Sequence, residues 1–70
     1  MEKVSLSKLA ELVSKNRKKK NMTQQDLQDQ TGINRMLISR IERRDFVPSI
    51  AQLEALSKTL DFSIQELIEE

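Results

Sequence analysis

The 70-residue chain has no cysteine and no histidine, which excludes disulfides and the usual zinc sites and leaves no imidazole for acid–base work. Serines and threonines are present, but without histidine they lack the partners of a hydrolase, and the acids are scattered along the chain. No catalytic residue, metal site or cofactor is therefore expected. No apolar run approaches the ~20 residues needed to cross a bilayer, and the opening MEKVSLSK lacks the long apolar segment of a signal peptide. The expectation is a cytoplasmic, non-enzymatic protein with no membrane association. Repeats, linkers and low-complexity tracts are also lacking, so residues 1–70 read as one domain. A chain this short buries only about 60% of its unfolded surface, so its core is thin.

The net charge of +1 is uninformative until it is divided. Residues 1–44 carry eleven Lys/Arg against five Asp/Glu, a net +6, whereas residues 45–70 carry one lysine against six acids, a net −5. A basic half suits a polyanion, and an acidic half pointing away limits indiscriminate sticking. The run KNRKKK at 15–20 has two readings that are compatible: phosphate contact, or a solvated helix end where positive charge favours the carbonyl terminus.

The single glycine, Gly32, marks the centre of the most informative segment, TQQDLQDQTGINRMLISRIER from Thr23 to Arg43. Thr23 can cap a helix whose first turn holds Asp26. Leu27 faces inward, and Gly32 can take the positive φ of a sharp turn. Asn34 then caps a second helix. At about 100° per residue, Ile38 and Ile41 share one side of it with Leu37 at their flank, while Met36, Ser39, Arg40 and Arg43 point the other way. A charged outer face alone would fit any surface helix. Two capped helices joined at a glycine, with apolar Ile33, Ile38 and Ile41, form the plan of a helix-turn-helix DNA reader.

Around this pair, a first helix is expected from near Ser5 or Ser7, burying Leu6, Leu9, Ala10 and Val13 and ending at a left-handed Asn21. Pro48 forbids helix just before it, and Ser49 with Gln52 makes a capping box for a fourth helix with core stripe Ile50, Leu53, Leu56 and Leu60. Ser63 with Glu66 forms another capping box, and Phe62 and Leu67 can close it as a hydrophobic staple. That predicts a short fifth helix, whose Ile64, Leu67 and Ile68 exceed what so brief an element can bury unless some meet a partner.

With these motifs in hand, the chain resembles the Cro and lambda-repressor-like helix-turn-helix family, also called XRE, ungapped from about Leu9 to Leu67. The matching segments are Arg17 to Gln24 leading into MTQQDL, then TGI, ISRIE, PS and DFSIQEL. The resemblance implies an all-α, compact five-helix lambda-repressor-like fold with the helix-turn-helix in helices 2 and 3. By position it implies that Gln24 braces the DNA backbone and recognition helix. Asn34, Arg35, Met36, Ser39, Arg40 and Arg43 match positions that meet bases or nearby phosphates. Arg17 and Glu42 match a salt bridge tying helix 1 to helix 3. Four residues depart from the pattern. Gln28 replaces a small alanine and must lean out or alter the helix spacing, Arg44 and Asp61 replace glycines that follow helices, and Ser14 replaces an arginine.

The expected function is sequence-specific binding of double-stranded DNA by a small transcriptional regulator, a repressor that meets a palindromic operator as a homodimer. Arg35, Arg40 and Arg43 can each fork onto guanine, a contact worth about 1–3 kcal/mol, and Met36 can pack on a thymine methyl. Arg17, Lys18, Lys20, Thr23 and Arg44 are candidates for phosphate contact. Phe62, Ile64 and Ile68 are the candidate dimer interface. The alternatives are an antitoxin or restriction-control regulator with a protein partner, and an adaptor that binds proteins rather than DNA.

Overall fold

Short local signals decide where each element of this chain starts and stops, and the computed structural model, which describes residues 3–69, shows them at work. Strand β1 (Lys3–Val4) leads into α1 (Leu6–Lys19), followed by α2 (Gln24–Thr31), α3 (Arg35–Glu42) and α4 (Ile50–Leu60). A 3-10 turn (Ile64–Leu67) and strand β2 (Ile68–Glu69) complete the order. The hydroxyls of Ser5, Thr23, Ser49 and Ser63 and the Asn34 amide each accept a hydrogen bond from an early amide of the element they open. Full capping boxes form at Thr23/Asp26, Ser49/Gln52 and Ser63/Glu66.

The turns depend on left-handed residues: Asn21 (φ 56°), Gly32 (φ 77°), Arg44 (φ 62°) and Asp61 (φ 56°). Asn and Asp tolerate this region because their short polar side chains suit it. Arginine has no such help, and its Cβ costs roughly 1 kcal/mol there.

Leu9, Val13, Leu27, Ile33, Ile38, Ile41, Leu53, Leu56, Leu60, Phe62 and Leu67 make one buried cluster to which every α-helix contributes. Asn16 fastens α1 to the far end of α4 by donating from Nδ2 to the Leu60 carbonyl at 2.8 Å. The all-α helix-turn-helix class holds, but the expected five α-helices become four among the described residues. The fifth shrinks to one 3-10 turn because the chain leaves it to pair with β1, Lys3 opposite Glu69 and Val4 opposite Ile68. Ser5 reinforces this closure by donating its backbone amide to the Leu67 carbonyl at 2.7 Å. Residues 1, 2 and 70 of the expected domain lie outside the described residues.

Three core assignments need correction. Ile50 is 69% exposed, because the first residue of α4 lies about 90° from the centre of the Leu53, Leu56, Leu60 stripe at helical spacing. Leu6 is half-exposed in the first turn of α1, bordering a shallow groove with Val47. Phe62, expected at a dimer interface, is buried in the core, since the left-handed Asp61 turns the chain back over the end of α4.

Candidate nucleic-acid interface

Helix α3 is held against the rest of the protein by its inner face and by α1 and α2. Ile38 and Ile41 are fully covered, and Leu37 is half-buried beside them. At its last residue, Glu42 accepts from Arg17 Nε at 2.8 Å and Nη2 at 3.1 Å. Gln24 Nε2 approaches the same carboxylate at 3.4 Å. The third Arg17 donor goes to the Met22 carbonyl at 2.8 Å, the entry to the turn before α2. Hydrogen bonding to Glu42 raises the Arg17 pKa, with burial opposing and the Glu42 charge assisting. Three elements thus meet on one ion pair whose side chains are only 12% and 11% exposed.

This geometry alters the expected role of Arg17. Three of its five N–H donors are engaged inside the protein and its side chain is nearly covered, so it is withdrawn from the phosphate candidates and serves as a brace between α1, the following turn and α3. Gln24 sits half-buried at the first position of α2, next to the exposed cap Thr23. Thr23 Oγ1 takes the Asp26 amide, while Asp26 accepts from the Thr23 amide at 2.8 Å. These hydrogen bonds, first to the Thr23 backbone and then to its side chain, hold the Asp26 carboxyl below the usual carboxylate range. The first amides of α2 are among those that a helix cannot satisfy internally.

The N-terminal end of α3 is capped twice. Asn34 Oδ1 accepts from the Met36 amide at 2.7 Å, and Gln28 Oε1 reaches from α2 to accept from the Arg35 amide, also at 2.7 Å. Gln28 therefore turns its amide toward the neighbouring helix. It joins the two helices across the turn, a role that spacing within a single helix does not reveal.

The outward face of α3 carries Met36, 71% exposed, with exposed Arg35, Arg40 and Arg43 and half-buried Ser39. Arg43 stands at the C-cap with Nε 3.4 Å from the Ser39 carbonyl, and left-handed Arg44 follows it, exposed. Lys18 is exposed in the last turn of α1. Lys20 pairs with Asp61 at 2.5 Å, which draws its ammonium toward the end of α4. Arg40 is also engaged, through Asp45 and Phe46 in the loop that follows. Neither of these loop residues was marked by the helical pattern, because only the turn at Arg44 brings them back to the helix. Ile64 and Ile68 are half-buried.

Among the described residues, no group of three or more His, Cys, Asp or Glu is placed to hold a metal ion, and no helix is long and apolar enough to cross a membrane. The arrangement combines an exposed helix face with arginines and one apolar tip, a neighbouring helix N-terminus, and a nearly covered inner ion pair.

Comparison with known proteins agrees with this geometry. A helix-turn-helix family model, HTH_3, matches residues 13–67. The restriction-modification controller protein C.AhdI from Aeromonas hydrophila superposes with a TM-score of 0.78 at 26% identity, over 89% of this chain and 94% of that one. A single-site variant of the controller protein C.Esp1396I gives 0.76 at 40% identity, over 90% and 80%. The C.Esp1396I tetramer in complex with its natural 35 base-pair operator gives 0.74 at 36% identity, over 89% and 92%. No curated protein matches the chain by sequence.

Proposed function

From the premise that this chain belongs to the helix-turn-helix family, we propose that it is a sequence-specific DNA-binding regulator that lays α3 in the major groove of its operator. The observation that carries the reading is the outward face of α3, where Met36 and the arginines stand exposed on a helix capped twice at one end and braced at the other. Asn34, Arg35, Met36, Ser39, Arg40 and Arg43 meet base edges or adjacent phosphates, and Gln24, Thr23, Lys18, Lys20 and Arg44 supply backbone contacts at the rim. Lysines and arginines displace condensed counterions and give salt-sensitive affinity, while α3 reads sequence.

Within this class, the restriction-control type is favoured by the likeness to two controller proteins, one of them seen on its operator as a tetramer. Two copies of the present chain would place their α3 helices about 34 Å apart on a palindromic site. Half-buried Ile64 and Ile68 remain the proposed contact between copies, and repression the proposed effect. Ile64→Glu should shift the sedimentation profile toward monomer. Val47 and Ile50 are 67% and 69% exposed, so Ile50→Glu is the matched variant. An unchanged profile for Ile64→Glu together with dissociation by Ile50→Glu would move the contact to the start of α4.

Selection of sites from a random duplex pool, followed by titration at several salt concentrations, tests the reading. An enriched inverted repeat bound with a steep salt slope is expected. No enrichment, together with salt-insensitive capture of a protein partner, would replace the regulator with an adaptor.

A further inference from the structure

Arg40 lies on the outward side of α3, yet its guanidinium already has a ligand. Its Nη2 donates to the Asp45 carbonyl at 3.0 Å, its Nε stands 3.4 Å from the Asp45 carboxylate, and its carbon centre is 5.6 Å from the centroid of the Phe46 ring. The backbone creates this clasp. Arg44 takes the left-handed conformation, and the Asp45 amide donates back to the Arg40 carbonyl at 2.8 Å, folding the loop against the residue it engages.

The clasp is open to water, with the side chains of Arg40 and Asp45 44% and 69% exposed. An exposed pair of this kind is weak and exchangeable. The donors that meet Asp45 are also those that a phosphate or a guanine edge would take, since all of these offer acceptor oxygen or nitrogen to a planar fork. We propose that Asp45 is an internal counter-ligand for Arg40: the free protein holds the Nε–Nη2 edge of the arginine closed on its own loop, and DNA that takes this edge displaces Asp45.

This inference rests on the DNA-binding reading and deepens it by naming a residue that sets affinity from outside the contact surface. A ligand site that is only partly available in the free state binds more weakly by the fraction available. Removing the Asp45 charge should therefore tighten binding, and should do so through Arg40.

The experiment is a double-mutant cycle on full-length wild type, Asp45→Asn, Arg40→Ala and the double variant. Each is titrated with the duplex enriched from a random pool, and with a mixed-sequence duplex if none is enriched. Thermal melting confirms that each variant is folded. Asp45→Asn is expected to bind about twofold tighter than wild type, with the gain largely lost in the Arg40→Ala background. An equal gain in both backgrounds would reduce Asp45 to general repulsion of phosphate and overturn the proposal. Weaker binding by Asp45→Asn would overturn it by showing that the closed clasp is the binding form. Failure of wild type to bind either duplex at low salt would remove the DNA-binding reading itself, and the inference with it.

Discussion

Two arginine–carboxylate pairs engage α3, and they differ in almost everything except chemistry. Arg17–Glu42 faces inward, is nearly covered, and joins α1, α2 and α3 through four hydrogen bonds when Gln24 and the Met22 carbonyl are included. Arg40–Asp45 faces outward, is half in water, and spans only five residues of one chain segment. Burial decides what each pair can do. A covered charge that loses its partner is left without solvent, so the inner pair is committed. The outer pair can trade its partner for water or for a ligand at little cost. The first sets where the recognition helix lies, and the second is free to take part in what that helix binds.

The strongest way to break this contrast is to remove each carboxylate separately. Glu42→Ala leaves the Arg17 charge nearly buried and should cost about 3 kcal/mol of stability. Denaturant unfolding checks it, and a loss below about 1 kcal/mol would place the inner pair with ordinary surface pairs. Gln28→Ala removes a cap from the recognition helix without touching either pair and should cost about 1 kcal/mol. Amide exchange should show the loss concentrated at Arg35, with DNA affinity falling alongside it. Asp45→Asn should leave stability within about 0.5 kcal/mol of wild type, in the same unfolding measurement that registers Glu42→Ala.

Both pairs bear differently on how much of the molecule was legible in the sequence. The caps at Thr23, Asn34, Ser49 and Ser63 could be read because cap and partner lie within three residues of one another. The left-handed end at Asn21 is readable for the same local reason, whereas that at Asp61 follows only from the resemblance, which puts a glycine there. Gln28 was recognised as a departure, but its target seven residues away depends on how the turn at Gly32 sets one helix against the other. Arg40 was correctly placed on the outer face by helical periodicity, which carries no information about a loop that doubles back. Pairing of residues 3–4 with 68–69 joins the two ends of the described chain, and two-residue strands leave no periodic trace in sequence. Ile50 and Phe62 sit at element junctions: a stripe drawn through α4 does not hold at its first residue, and the apolar surplus after α4 does not reveal that Asp61 turns Phe62 into the core.

The smallest effect sharpens the contrast at acid pH. The Asp26 carboxyl is ionised to lower pH in the folded protein than in the unfolded chain, because Thr23 donates to it. Its contribution is therefore fully present above the ordinary carboxylate pKa and is lost as pH falls through the lowered folded value. Asp26→Asn should lower stability slightly at neutral pH and make the acid limb shallower. A melting curve that tracks wild type at every pH would remove Asp26 from the balance.

On the proposed reading the outward face of α3 meets DNA, with Arg40 leaving Asp45 as it does so. Titrating the ¹⁵N-labelled protein with the selected duplex, while following backbone amides and the arginine Nε–H signals, tests this most directly. Shifts are expected to concentrate at Thr23 to Gln25 and Asn34 to Asp45, with the Arg40 Nε–H among the largest. Shifts confined to Val47 and Ile50 or to Ile64 through Ile68, with the face of α3 silent, would contradict it.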